Sequence, residues 1–71
     1  MLEIFEELLK DENFRILIEP WPDRGYFIFH VTYRGKHAGK AVYISMRELR
    51  DEPELCRDRL LDAMDEVQEG L

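Results

Sequence analysis

The side chains best suited to covalent or metal chemistry in this chain are one cysteine, Cys56, and two histidines, His30 and His37. A cysteine beside a histidine could act as a nucleophile, and both residue types bind zinc. The three residues are too few and too widely spaced for a zinc-ligand pattern. Cys56 also falls on the apolar stripe of a predicted helix, which favours a buried, inert thiol. We therefore predict no metal site, no catalytic residue and no enzyme activity.

A second candidate for chemistry is the glycine-rich segment Gly35-Lys36-His37-Ala38-Gly39-Lys40-Ala41. A phosphate-binding loop of the Walker type has four residues between its glycines and a Ser or Thr after the lysine. Here three residues separate Gly35 from Gly39, and Ala41 offers no hydroxyl for Mg²⁺. The segment is typical of a basic hairpin instead, and we predict no nucleotide and no other cofactor.

Carboxylates are the third candidate, because five of them lie close together near the C-terminus. Paired carboxylates can perform general acid–base catalysis. Spaced along one predicted helix, however, they are typical of a solvated helical face. They are Asp58, Asp62, Asp65, Glu66 and Glu69.

Length and composition predict a single domain spanning residues 1–71. Hydrophobic residues make up 45% of the chain and charged residues 37%, which is typical of a folded protein rather than a disordered one. The sequence has no apolar run of about 20 residues, as a membrane helix needs, and it does not begin like a secretory signal. A single cysteine excludes an internal disulfide, so we expect a cytoplasmic protein.

The net charge of −6 is unevenly distributed. Residues 1–23 hold seven acids and two bases, residues 24–50 hold six bases and one acid, and residues 51–71 hold eight acids and two bases. The simpler interpretation is that acidic helices lie beside a basic sheet edge and neutralise it. The alternative is a dedicated anion-binding patch in the basic middle.

Hydrophobic periodicity predicts the elements. An i, i+3, i+4, i+7 stripe at Leu2, Ile4, Phe5, Leu8 and Leu9 predicts a helix that ends near Asn13. β-rich runs predict strands at 14–19, 26–33 and 38–45, with turn residues at 20–25 and a tight connection at 34–36.

Two capping boxes precede the C-terminal helix: Ser45 with Glu48 for a short turn, and Asp51 with Glu54 for the main helix. Cys56, Leu60, Ala63, Met64, Val67 and Leu71 then form an apolar stripe, and Gly70 is a stop signal. The predicted fold is α+β, in the order α-β-β-β-α. The simplest packing is a three-stranded antiparallel meander with both helices on one face.

Such a fold leaves one face of the sheet uncovered. A contiguous apolar patch there favours an interface, with a second copy of the chain or with another protein, and these two alternatives are compatible. Trp21, in the predicted turn, is interpreted as a lid on the core rather than an interface anchor. The uncovered residues are predicted to be Leu17, Tyr26, Ile28, His30, Thr32 and Tyr43, bordered by Arg15 and Lys40.

The element order, with a glycine-rich link between the last two strands, resembles a double-stranded RNA-binding domain. That family contacts RNA through a lysine-rich start of its last helix. The matching stretch here is Asp51-Glu52-Pro53-Glu54, which would repel phosphate and disfavours an RNA role.

Ile18-Glu19-Pro20, followed by Asp23-Arg24-Gly25-Tyr26, is similar to the opening of HicB-like antitoxins. An acidic helix after the third strand also fits that family, although its proline-rich segment after the second strand is replaced by Val31-Thr32-Tyr33-Arg34-Gly35. The resemblance implies a small acidic protein that occludes a basic RNA-cutting partner.

The function expected from these features is that of a non-enzymatic module that inhibits or regulates a protein partner, encoded for example by a phage or mobile element. Candidate partner-binding residues are the six uncovered sheet residues together with the helix acids Asp62, Asp65 and Glu66. The alternative is a nucleic-acid-binding domain, with aromatic residues stacking on bases. It would use Arg34, Lys36, Lys40, Arg47 and Arg50 on phosphates.

Overall fold

The computed structural model describes residues 5–36 and 38–70. Its strands form one antiparallel sheet in the order β1-β2-β3, with helices before and after it, which confirms the predicted α+β arrangement. Leu2, Ile4, His37 and Leu71, which figured in the predictions, lie outside the described residues. The elements are α1 (Glu6–Leu9), β1 (Phe14–Trp21), β2 (Tyr26–Tyr33), β3 (Gly39–Ser45), α2 (Met46–Asp51) and α3 (Pro53–Gln68).

The hydrophobic core lies between the helices and one face of the sheet, which we call the inner face. Alternate residues of each strand point to it, because successive side chains of a strand point to opposite faces. α1 is a single turn that buries Leu8 but leaves Leu9 exposed. The buried cluster comprises Phe5, Leu8, Phe29, Val31, Val42, Ile44, Leu49, Cys56, Leu60, Ala63, Met64 and Val67.

β1 is longer than predicted, because it continues through Pro20 and Trp21, which pair with Phe27 and Tyr26. The prolines were expected to end the strand. β1 is an edge strand, however, and a proline there loses no ladder hydrogen bond if its nitrogen faces away from the sheet. The turn is thereby shortened to 22–25, and it closes at Gly25, whose φ is +75°.

The chain leaves β3 through a capping box and enters α2 directly. The Ser45 hydroxyl accepts a hydrogen bond from the Glu48 N–H at 3.0 Å, and the Glu48 carboxylate accepts one from the Ser45 N–H at 3.1 Å. This confirms the first predicted capping box.

The second predicted capping box is wrong, because Asp51 is the last residue of α2 and pairs with Arg50. α3 begins instead at Pro53, which suits the first helical position because its missing N–H would be unbonded there. Within residues 5–36 and 38–70, no helix combines the length and apolarity needed to cross a bilayer.

Candidate interaction face and groove

The sheet face opposite the helices, which we call the outer face, carries the odd-numbered residues of β1, the even-numbered residues of β2 and the odd-numbered residues of β3. The register aligns them in rows across the three strands. One row is Trp21, Tyr26 and Ser45, and the next is Glu19, Ile28 and Tyr43. The rows that follow are Leu17, His30 and Ala41, and then Arg15, Thr32 and Gly39.

Three aromatic rings form a connected cluster on the outer face, one from each strand or strand end. Trp21 and Tyr26 are stacked, with ring centroids 6.4 Å apart and an interplanar angle of 18°. Tyr26 and Tyr43 are 5.8 Å apart and tilted by 52°. Trp21 is 42% exposed and Tyr43 is 56% exposed, so this aromatic cluster faces solvent. The predicted role of Trp21 as a lid on the core is therefore wrong: its odd position in β1 puts it on the outer face.

The Glu19 carboxylate contacts two ring nitrogens beside the aromatic cluster. One oxygen of Glu19 lies 3.1 Å from Nε2 of His30, and the other accepts a hydrogen bond from Nε1 of Trp21. The two contacts tie the indole and the imidazole to one side chain and limit their rotation. Sequence reasoning missed Glu19, although the alternation places it on the same face as Leu17.

The remaining predicted sheet residues lie on the outer face with different exposures. Leu17 is 53% exposed. Thr32 is partly buried, and its hydroxyl donates a hydrogen bond to the Arg15 carbonyl at 3.3 Å. Ile28 was expected to lie uncovered, and this is wrong, because only 8% of it is accessible. It sits between Glu19 and Tyr43 in its row, so its neighbours on adjacent strands shield it.

The predicted acidic residues of α3 lie in the helical layer, away from the outer face. Asp62 and Glu66 line an open groove of about 370 Å³ between β3 and α3, whereas Asp65 does not line it. Tyr43 lines this β3–α3 groove and also belongs to the aromatic cluster, so it joins the two surfaces. The groove is lined by Lys40, Ala41, Val42, Tyr43, Arg59, Asp62 and Glu66.

Two ion pairs involve residues that line the groove. Lys40 was predicted to border the outer face, and this is wrong: its even position in β3 directs it to the inner face, where it pairs with Glu66. Arg59 contacts the Glu48 carboxylate at 2.9 Å and donates a hydrogen bond to the Tyr43 carbonyl at 2.6 Å. Sequence reasoning missed Arg59, although its spacing to Asp62 and Glu66 places all three on one side of the helix.

The five basic residues considered for phosphate binding do not form one patch. Arg34 and Lys36 lie in the connection before β3, whereas Arg47 and Arg50 lie on α2, after β3. A strand of seven residues separates the two pairs by about 20 Å. Lys40, between them, is paired with Glu66, as Arg50 is with Asp51. Their hydrogen bond raises the pKa of Arg50 and lowers that of Asp51.

Cys56 and His30, two of the residues first considered for chemistry, are kept apart by the sheet. Cys56 is 1% exposed, as predicted, in the core under the inner face, whereas His30 lies on the outer face. Burial raises the pKa of the Cys56 thiol, the opposite of the shift that activates a nucleophilic cysteine. Among the described residues, no three His, Cys, Asp or Glu side chains are grouped as metal ligands.

Comparison with known proteins found no matching family model, curated protein or solved structure.

Proposed function

We propose that this protein is a non-enzymatic binding module that inhibits or regulates a protein partner through its outer face. The observation that carries the proposal is the solvent-facing aromatic cluster of Trp21, Tyr26 and Tyr43. Tryptophan and tyrosine are enriched in the energetically dominant centres of protein interfaces, because each buries a large ring while its polar atom can still be bonded. Leu17 extends the apolar surface one row further.

Charge favours a protein over a nucleic acid as the occupant of this face. The carboxylate of Glu19 lies among the aromatic side chains, and the whole chain carries a net charge of −6. Proteins that stack bases on aromatic rings combine them with a continuous positive groove that follows the phosphates. Here Arg34 and Lys36 lie before β3, whereas Arg47 and Arg50 lie after it.

The acids of α3 give the proposal an electrostatic component. Asp62 and Glu66 line the groove to which Tyr43 also belongs, so they add negative potential beside the outer face. An acidic surface of this kind can steer a basic partner and compete with nucleic acid for it. The HicB-like resemblance implies a specific partner, a basic RNA-cutting enzyme that this chain would bind and inhibit.

The test is a capture experiment with two matched baits. Leu17 and Leu55 are the same residue type and are 53% and 51% exposed, but Leu17 lies on the outer face and Leu55 on α3. We expect Leu17→Glu to lose a stoichiometric, nuclease-resistant protein partner and Leu55→Glu to retain it. Equal retention by both variants would refute the outer face as the binding surface. Recovery that collapses with nuclease would instead indicate nucleic acid.

The electrostatic component is tested on the captured pair. Charge reversal at Asp62 and Asp65 should slow association, and added salt should slow the wild-type association in the same direction, because both weaken long-range attraction. An association rate that does not depend on salt would remove the electrostatic component while leaving the outer-face contact intact.

A further inference from the structure

β3 presents an unpaired backbone edge along the β3–α3 groove. The Arg34 N–H donates to the Asn13 carbonyl at 2.8 Å, which makes this a hydrogen-bonded pair continuing the β1–β2 register. Bonded and non-bonded pairs alternate in an antiparallel ladder, so even residues of β2 bond to β1 and odd residues bond to β3. The register then directs the backbone groups of Ala41 and Tyr43 away from β2. No other described strand pairs with this side of β3.

We infer that a second copy of the chain occupies this edge, with the two β3 strands antiparallel about a twofold axis at Val42. In this register Ala41 bonds to Tyr43 of the second copy, and Tyr43 bonds to Ala41 of the second copy. Each of these pairs exchanges two backbone hydrogen bonds. On the outer face the small Ala41 side chain lies beside the large Tyr43 ring of the other copy, so the two side chains fit side by side.

The position of α3 fits the same axis. Glu66 pairs with Lys40 and Arg59 bonds to the Tyr43 carbonyl, so α3 runs antiparallel to β3 and Asp62 lies near the level of Val42. α3 packs on both β2 and β3. An axis midway between these two strands would lie about half a strand spacing inside β3. With strands about 4.8 Å apart, the two α3 axes would be about 10 Å apart, the usual separation of packed helices.

Charges along the helix are self-complementary about this axis. Arg59, Asp62 and Glu66 share the groove side of α3, with the cation toward one end and Glu66 toward the other. A twofold axis near Asp62 therefore places Arg59 opposite Glu66 of the second copy, twice in each dimer, and the two Arg59 cations flank the pair of Asp62 carboxylates that face each other at the axis. Lys40 lies opposite Ile44 of the second copy, so no lysine meets its own counterpart.

The two sheet edges differ in how they resist pairing. At the β1 edge, Pro20 occupies an even position, where the backbone nitrogen points away from β2. Because proline has no N–H, this edge lacks a donor there. At the β3 edge, Lys40 points to the inner face, and an inward charge of this kind can block strand pairing. Glu66, however, neutralises the charge of Lys40. Arg59 uses one lone pair of the Tyr43 carbonyl and leaves the second for an incoming N–H. β3 is therefore the edge able to accept a strand.

The consequence is a six-stranded sheet with α3 and its twin on one side and two aromatic clusters on the other. This inference does not depend on the proposed function. Leu17 lies on β1, two strands from the seam, so Leu17→Glu should abolish partner capture and leave the dimer intact.

The primary test is the mass in solution by sedimentation over micromolar to submillimolar concentrations, where we expect a reversible dimer. Ala41→Pro removes one edge donor from each copy and should weaken dimerisation about thirtyfold, or about 2 kcal/mol at 1.4 kcal/mol per tenfold. Ala41→Ser keeps the N–H and should dimerise like the wild type. Circular dichroism of Ala41→Pro establishes that the monomer remains folded. A monomer at every wild-type concentration would overturn the inference.

Oxidative cross-linking tests the register without requiring a loss of function. Residues 42 of the two copies would face each other as a non-hydrogen-bonded pair, with Cα atoms about 4.5 Å apart, within disulfide range. Val42→Cys should therefore form a covalent dimer, and Ala41→Cys, whose counterpart is displaced along the strand, should not. Cross-linking of Ala41→Cys alone would overturn this register.

Charge exchange tests the contact between the helices. Glu66→Arg should weaken the dimer, whereas Asp65→Arg, with the same charge change outside the groove, should not. Adding Arg59→Glu to Glu66→Arg should restore the dimer, because each cation again faces an anion across the seam. The double variant places like charges beside Lys40 and Glu48 within each chain, so recovery could not come from intrachain pairing. A double variant no better than Glu66→Arg, when both also carry Lys40→Ala to remove the lysine that Glu66 no longer neutralises, would refute the contact.

Discussion

Both faces of the sheet carry contacts between aromatic rings, but the rings are buried on one face and partly exposed on the other. On the inner face Phe5 and Phe29 meet edge to face at 5.4 Å, and both are fully buried. On the outer face Trp21, Tyr26 and Tyr43 also meet at close range, yet two of the three rings are substantially exposed. Phenylalanine has no polar atom to satisfy, whereas tryptophan and tyrosine carry one that can stay bonded at a wet surface. We interpret the inner face as the source of stability and the outer face as the surface for recognition.

The largest expected effect is at the centre of the inner face. Phe29→Ala should lower the free energy of unfolding by about 3–5 kcal/mol, because it removes a fully buried ring and leaves a cavity. Urea denaturation followed by circular dichroism measures the change. A loss below about 1 kcal/mol would mean that the core closes around the gap.

The preceding residue in the chain sharpens the comparison, because Ile28 is buried on the opposite face. Ile28→Ala should cost about 2 kcal/mol, at the low end for a buried aliphatic residue, since only one layer of side chains surrounds it. The same denaturation experiment tests it. A cost equal to that of Phe29→Ala would show that the outer face contains a second core.

A smaller loss in the free energy of unfolding is expected for a substitution where the chain passes from β3 into α2. Ser45→Ala removes the hydroxyl that caps α2 and should cost about 1 kcal/mol. Met46→Ala, at the next position and exposed, is the control and should change stability little. Thermal unfolding of both variants measures the difference, and equal melting temperatures would show that the cap is dispensable.

The same cap predicts a dependence of stability on pH. Hydrogen bonds from Ser45, first from its backbone N–H, hold the pKa of Glu48 below its usual value of 4.5, and Arg59 adds to the effect. A lowered folded-state pKa stabilises the fold above pH 4.5, and this contribution is lost as pH falls through the folded-state pKa. The stability difference between wild type and Glu48→Gln should therefore shrink as the solution is acidified from neutrality. A constant difference would contradict an ionised cap.

The smallest effect on stability is expected on the exposed part of the outer face. Leu17→Glu should change the free energy of unfolding by no more than about 0.5 kcal/mol, because the side chain is already half exposed. The same variant is expected to abolish partner capture. A large destabilisation would erase the distinction between the two faces.

Much of the fold follows from periodicity in the sequence. β2 begins and ends where the alternation predicts, and the stripe from Cys56 to Val67 is buried as expected. Deviations occur where tertiary context overrides a local signal. Pro20 predicts the end of β1 from its residue type alone, but a proline is tolerated in an edge strand, and which strands are edges is a property of the whole sheet.

The candidate site was harder to predict than the fold. Alternation alone assigns Leu17 and Tyr43 to the outer face, but it cannot show that neighbours on both adjacent strands bury Ile28. Pairing of Lys40 with Glu66, 26 positions further along the chain, depends on where α3 packs. Arg59 was overlooked for the same reason, since its contacts lie on β3 and α2.

The position of Trp21 also makes its intrinsic fluorescence a probe of the outer face. It is the only tryptophan in the chain, and its indole lies on the outer face, away from the core. Intrinsic emission on excitation of the indole therefore reports on the outer face far more than on the packing beneath the helices. A partner that covers Trp21 should shift its emission to shorter wavelength, so docking can be titrated with no added label.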